Sequence, residues 1–134
     1  MISVEEALAR CLALAVPLPL ETVPLAQAAG RWMCVPAVAR RDQPPFSASA
    51  MDGYAVQGNP GPDDNFVVIG EAGAGHAFDG EVAPGQAVRI FTGAPVPEGA
   101  TRVIIQEDVV SLGDRILLKE GLDTATHIRP LGQD

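Results

Sequence analysis

Asp52 lies inside the string Asp42-Gln43-Pro44-Pro45-Phe46-Ser47-Ala48-Ser49-Ala50-Met51-Asp52-Gly53-Tyr54-Ala55-Val56. Pro44 and Pro45 fix two φ angles and remove two backbone donors, so this segment cannot be a helix interior and arrives as an extended or polyproline-type arm. Ser47 to Ala50 carry little side-chain bulk, which lets the backbone approach a partner closely. Asp52-Gly53 is a turn dipeptide, because aspartate bonds its local backbone and glycine accepts positive φ. Tyr54-Ala55-Val56 follows with strand character. Two readings stand: a Pro-rich linker closing on a β-turn, or a rigid loop that presents the Asp52 carboxylate to a cleft.

Three further groups carry chemical potential. In Arg89-Ile90-Phe91-Thr92-Gly93-Ala94-Pro95-Val96-Pro97-Glu98-Gly99-Ala100 a strand runs into a stiff turn. Thr92 there could offer a hydroxyl and an exposed N–H to an anion, or bond the turn itself. Gln106-Glu107-Asp108 falls within a candidate strand Arg102–Val110, whose alternation draws Glu107 to an otherwise apolar face. That carboxylate is either a solvated strand residue or one partnered in a cleft, at a metal for example. Glu71-Ala72-Gly73-Ala74-Gly75-His76 begins like a dinucleotide-binding loop, but position 78 is Phe and Pro84-Gly85 interrupts the helix such a loop requires. A turn between strands is the better reading, with His76 a polar loop residue.

Stepping outward from these groups, the chain must supply elements that hold them. Its 134 residues allow one domain with a core, or one domain and a short appendage. Hydrophobic residues make up 47% but aromatics only 4%, so the core should be built of Ala, Val, Leu and Ile. Ser3 and Glu6 form a capping-box pattern, and Val4, Ala7, Leu8, Cys11, Leu12 and Ala15 recur at helical spacing. They predict an amphipathic helix over Ser3 to Ala15, ending before Pro17 and Pro19. A brief helix follows Pro24 and closes at Gly30, and Arg31–Val35 is a candidate strand. Residues 1–40 read as a helical and extended appendage that packs on something else.

From residue 41 to 134 short strands alternate with turns, the pattern of a small β-rich domain. The expected strands are Tyr54–Val56, Phe66–Glu71, Gln86–Phe91, Arg102–Val110 and Arg115–Lys119, with a further one starting near Thr126. The fold class is therefore mainly β (α+β), a small barrel-like domain with an N-terminal helical appendage. The formal net charge of −8 and the nine scattered basic residues argue against nucleic acid and against an anionic membrane surface. No apolar run is long enough to span a bilayer, and no signal peptide precedes the first helix, so a cytoplasmic protein is expected. Cys11 and Cys34 lack metal or disulfide spacing and are expected as buried or neutral thiols.

Taken in order, the strings Pro44–Val56, Arg89–Asp108 and His127–Asp134, together with Leu25-Ala26-Gln27-Ala28-Ala29-Gly30-Arg31, resemble the molybdopterin molybdotransferase family, which includes the gephyrin E-domain. The resemblance covers essentially the whole chain. It implies insertion of molybdate into adenylylated molybdopterin, with release of AMP and assistance from a divalent metal such as Mg²⁺. It places the family's functional aspartate at Asp52 and its functional threonine at Thr92. Ser49, Met51, Gly53, Gly93 and Pro95 would then lie against the substrate. It also implies an elongated homodimer whose cleft is shared between this β-rich domain and another subunit's pterin-binding domain.

Members of that family continue past the equivalent of Gly132-Gln133-Asp134 into further domains. The chain alone is accordingly expected to be an inactive N-terminal portion. The rival expectation is a non-catalytic binding or dimerisation module in cofactor assembly. A third is a small carboxylate–metal hydrolase using Asp52 and Glu107.

Overall fold

Ser3 starts the first element as its pattern requires: its Oγ accepts from the Glu6 amide at 3.1 Å in the computed structural model, which describes residues 1–134. Helix α1 covers Val4–Ala13, with Glu5 and Glu6 in its first turn and Arg10 in its last. Those charges suit the helix dipole, and Arg10 bonds Glu6 one turn back at 2.6 Å. The amides of Leu14 and Ala15 reach only three residues back, to Cys11 and Leu12, so the helix tightens and stops just short of its expected end. A 3₁₀ turn, Leu25–Gln27, follows Pro24, and Gly30 closes it at φ +77°.

Met1–Val38 forms one of two compact units, and none of its residues is buried. Two expectations are corrected here. Arg31–Val35 is not a strand, since no segment lies alongside to take its backbone hydrogen bonds. Cys11 and Cys34 are exposed rather than buried, because Val4, Leu8 and Leu12 around Cys11 on α1, and Trp32, Met33 and Val35 beside Cys34, are themselves exposed and no core forms around the thiols.

Ala39–Asp134 is the second unit. Its strands are β1 Ala48–Ser49, β2 Gly53–Val56, β3 Asn65–Ala72, β4 Gln86–Ile90, β5 Arg102–Ile105, β6 Val109–Ser111, β7 Arg115–Leu118 and β8 Ile128–Arg129. Six of them form one sheet in the order β5-β2-β4-β3-β7-β6, and β1 pairs with β8 separately. All pairings are antiparallel except β3 with β4.

The expected strand Arg102–Val110 is in fact two strands at opposite edges of the sheet, joined by a 3₁₀ turn at Gln106–Asp108. Three residues hold those edges within about 14 Å of each other at full extension, so the sheet must curl into a half-barrel. The break has a local cause. The Gln106 amide donates to the Asp52 carbonyl at 3.0 Å, and the Lys119 amide takes the Asp108 carbonyl at 2.9 Å. The two-face alternation expected for Gln106, Glu107 and Asp108 therefore does not apply.

Successive residues of the central strands go to opposite faces, and both faces are apolar. Val56, Phe66, Ala87, Ile104, Val109, Ile116 and Leu118 form one cluster that draws on all six strands of the sheet. A cluster reaching both edges must fill the concave side. Their neighbours Ala55, Val88 and Val103 join Ala72, Val82, Ile90 and Ala94 on the other face. Ile128 of β8, Phe78 and Val96 pack against that second cluster, so loops and the small sheet cover the convex side.

The arm leading to Asp52 is held from both sides. The Ser49 amide donates to the Ala94 carbonyl at 2.9 Å, the Gly93 amide to the Ser49 carbonyl at 2.8 Å, and the Ala50 amide to the His127 carbonyl at 2.8 Å. Its proline stretch bends instead of extending, with a cis Gln43–Pro44 bond. There Gly132 donates to the Pro44 carbonyl at 3.0 Å and Asp134 to that of Gln43 at 2.9 Å. A buried Arg102 bonds the Asp123 carbonyl and fastens the returning segment to β5.

Candidate functional site

Asp52 immediately precedes β2, Thr92 follows β4, and Gln106 follows β5. Gly53 pairs with Ile90 on one side and with Ile105 on the other, so an antiparallel sheet necessarily delivers all three residues to the same end. This topology brings together groups that lie far apart in the chain.

Both donors of Thr92 go to one atom. Its amide N–H and its hydroxyl each donate to Asp52 Oδ1 at 2.8 Å. Thr92 therefore neither bonds its own turn nor leaves its donors free; it fixes the rotamer of the aspartate. The second oxygen, Oδ2, takes no hydrogen bond from the chain. The Thr92 amide, then the Thr92 hydroxyl, hold the Asp52 carboxyl below its ordinary range; partial burial opposes them, and the charge of Arg89 adds a smaller pull downward. The carboxylate is thus ionised at neutral pH and half exposed.

Gly53 has to be glycine. A Cβ there would stand 2.0 Å from the Ile104 carbonyl oxygen, so β2 and β5 could not pair beside Asp52. Ser49 is buried, and its hydroxyl donates to the Met51 carbonyl at 2.6 Å. It closes the turn that turns Met51 and Asp52 outward. Met51 is exposed, Gly93 is exposed at φ +83°, and Pro95 bridges to Ala48. Of the seven residues singled out from the sequence, Ser49 and Gly53 are buried framework, Asp52 and Pro95 are half-buried, and Met51, Thr92 and Gly93 are exposed.

Arg89 was not singled out from the sequence. Its guanidinium donates to the Gly53 carbonyl at 3.2 Å and to Gln106 Oε1 at 2.8 Å, and lies over the rings of Tyr54 and Phe91 at 5.1 and 4.7 Å. The available signal was a lone charged residue in an otherwise uncharged strand. Glu107 is exposed and accepts from Gln106 Nε2 at 3.2 Å. No group of three or more His, Cys, Asp or Glu side chains gathers in a metal-holding arrangement. Gly73 and His76 bond each other's backbones at 2.8 and 2.9 Å, so the Glu71–His76 stretch is a closed turn. Two hollows lie elsewhere: about 910 Å³ among residues 17–35 and about 340 Å³ between Gln57, Phe66 and Pro84. Asp52 and Thr92 lie on an open face of the sheet end.

Comparison with known proteins gives a consistent result. Residues 2–134 match the family model described as MoeA N-terminal region (domain I and II). The chain is 32% identical over 139 aligned residues to the molybdopterin molybdenumtransferase of Staphylococcus aureus (strain Mu50 / ATCC 700699), covering 99% of this chain and 33% of that protein. A crystal structure of the molybdopterin biosynthesis moeA protein from Pyrococcus horikoshii OT3 superposes with a TM-score of 0.70 at 35% identity, over 85% of this chain and 32% of that one. A second structure, of the molybdopterin biosynthesis moea protein from Pyrococcus horikosii, gives a TM-score of 0.64 at 28% identity, over 99% of this chain and 36% of that one. The chain spans about a third of the length of these relatives. A match across nearly every residue, on a mostly β structure with the same curled sheet, establishes that the chain belongs to the MoeA N-terminal region family.

Proposed function

We propose that this chain works as the N-terminal portion of a molybdopterin molybdotransferase, supplying half of the cleft in which molybdate is inserted into adenylylated molybdopterin with release of AMP. The observation that carries this reading is the Asp52–Thr92 pair: an ionised carboxylate with one oxygen locked by two donors and the other open, at the exposed end of a rigid sheet. In this role Asp52 presents Oδ2, while the Thr92 hydroxyl holds the carboxylate still and keeps a lone pair on its exposed side. Met51 and Gly93 leave the approach to both groups unobstructed. Residues 41–134 would form the cleft-bearing domain, and residues 1–40 an appendage to it.

A single open carboxylate oxygen fits Mg²⁺, which commonly takes one or two carboxylates and completes its shell with water and substrate phosphate. Asp52 Oδ2 would hold it. Bound there, the ion would neutralise charge on phosphate oxygens as the phosphoanhydride is broken. The openness of the half-site calls for a covering surface from another domain or subunit, so the working form would be a homodimer, acting in the cytoplasm on molybdate and molybdopterin-AMP.

The test is Asp52→Ala in the complete enzyme. Loss of molybdate insertion by a hundredfold or more, with folding intact, supports the reading; unchanged insertion overturns it. By the same reading the 134-residue chain does not insert molybdate unaided. The exposed Val4, Leu8, Leu12, Leu18, Leu20 and Trp32 favour a second reading, a binding or dimerisation module. Unchanged insertion in Asp52→Ala together with weakened self-association would select it.

A further inference from the structure

We propose that Arg89 is the positioning residue of the Asp52 site: through Gly53 and Gln106 it sets the backbone of Asp52 so that Oδ1 meets both donors of Thr92 while Oδ2 stays open. This rests on the reading of Asp52 and Thr92 as the reactive pair, but its geometry stands in the chain itself.

Four contacts close a ring. Arg89 Nη1 donates to the carbonyl of Gly53, the residue after Asp52, at 3.2 Å. Nη2 donates to Gln106 Oε1 at 2.8 Å. The Gln106 amide in turn donates to the carbonyl of Asp52 at 3.0 Å. Asp52 Oδ1 then accepts from Thr92, three residues beyond Arg89 on the exit of β4. The peptide that carries Asp52 is therefore gripped at both of its neighbouring carbonyls by one guanidinium, directly at Gly53 and through Gln106 at Asp52.

The side chain that makes this grip is itself restrained. Its guanidinium lies over Tyr54 and Phe91, and cation–π contact with two rings limits its rotamers. Only a planar fork has donors spaced for two acceptors at once. Lysine supplies a single ammonium on a flexible stem, so charge without the fork should not hold both partners. Gln106 is also oriented. Its Oε1 faces Arg89 and its Nε2 donates to Glu107 at 3.2 Å, which ties the 3₁₀ turn between the sheet edges to the site.

The experiment is amide hydrogen exchange on the 134-residue protein with Arg89→Met, Arg89→Lys and Gln106→Ala. Methionine keeps an apolar stem against Tyr54 and Phe91, so it separates packing from positioning. In Arg89→Met the amides of Thr92 and Gln106 are expected to exchange about tenfold faster, while those of Ile116 and Leu118, far along the sheet, are unchanged. Arg89→Lys should not restore the protection. Unchanged exchange at Thr92 and Gln106 in Arg89→Met overturns the proposal, as does full recovery in Arg89→Lys, which would assign the effect to charge alone. Should Arg89→Met loosen the whole sheet, Gln106→Ala decides: it removes one acceptor of the fork and must speed Thr92 exchange, and an unaltered Thr92 overturns the proposal. These readings are independent of catalysis, so loss of the reactive-pair interpretation and loss of the positioning role would show in different experiments.

Discussion

Thr92 gives both of its donors, amide and hydroxyl, to a single oxygen of Asp52, each at 2.8 Å across forty residues of sequence. One oxygen of the carboxylate is thereby committed to structure and the other is left for a partner. That asymmetry depends on two loops leaving the same end of one antiparallel pair of strands, and it sets the first prediction.

Replacing Thr92 by valine keeps its size and its amide donor but removes the hydroxyl. The Asp52 carboxyl should then titrate higher, moving toward the ordinary value of 3.8, because the hydroxyl is among the groups holding it down. The sign for stability follows from the lowered value in the folded state. Folded Asp52 binds a proton less readily than the unfolded chain, so its contribution is fully present above the ordinary aspartate value and is lost as pH falls through the folded one. A carbon-13 titration of the Asp52 carboxyl reads this directly, and an unmoved midpoint counts against the hydroxyl's role.

Gly53→Ala should be far more damaging than its size suggests. The added methyl would stand 2.0 Å from the Ile104 carbonyl oxygen and 2.9 Å from its carbon, and backbone atoms cannot swing aside. Separation of β2 from β5 is expected to cost about 3 kcal/mol or more. Chemical denaturation measures it, and a loss under about 0.5 kcal/mol, the range of ordinary surface changes, would show that the strands part at little cost.

Ile116 is fully buried in the concave cluster that touches every strand of the sheet. Ile116→Ala should lower stability by about 2–5 kcal/mol, through lost transfer energy and the cavity left behind. The denaturation midpoint should fall with little change in slope. Asp52 and Thr92 lie outside that cluster, so their mutual hydrogen bonds should persist in the fraction that remains folded.

Ser3→Ala tests the N-terminal unit by itself. The Ser3 hydroxyl caps the Glu6 amide at 3.1 Å, and no residue of α1 is buried. A ten-residue helix without buried contacts is marginal, so losing a cap worth about 1 kcal/mol should reduce its helicity visibly. Far-ultraviolet circular dichroism and the amide shift of Glu6 report it; a helix that keeps its full signal would be one held by more than its own turns.

Much of this was legible in residue order. The Ser3 cap and the strands ending at Val56 and starting at Gln86 and Arg102 rest on local chemistry that a sequence carries openly; the turn expected at Asp52-Gly53 does not form as read, because Gly53 opens β2 without a positive φ and the Asp52 carboxylate bonds Thr92 instead of its local backbone. The meeting of Asp52 with Thr92 was implied only by resemblance, since no local rule links positions so far apart. Other features escaped for physical reasons. Arg102–Val110 reads as one strand because its apolar residues continue past Gln106, yet closing the curl requires a break there, and closure is a property of the whole sheet. Cys11 and Cys34 look like core residues by type, but type settles burial only where a core exists. Arg89 carried no motif, and its importance comes from what Gly53 and Gln106 happen to place beside it.

The backbone bonds between Gln43 and Asp134, and between Pro44 and Gly132, mean that the arm ahead of β1 and the segment after β8 are stitched side by side. The β-rich unit should therefore tolerate a covalent bridge across this seam with little strain. It should also accept circular permutation, with Gln43 and Asp134 joined by a short linker and new termini opened at the Leu112-Gly113-Asp114 turn. In such a rearranged chain Asp52 and Thr92 would still face each other, because the sheet rather than the chain order keeps them together.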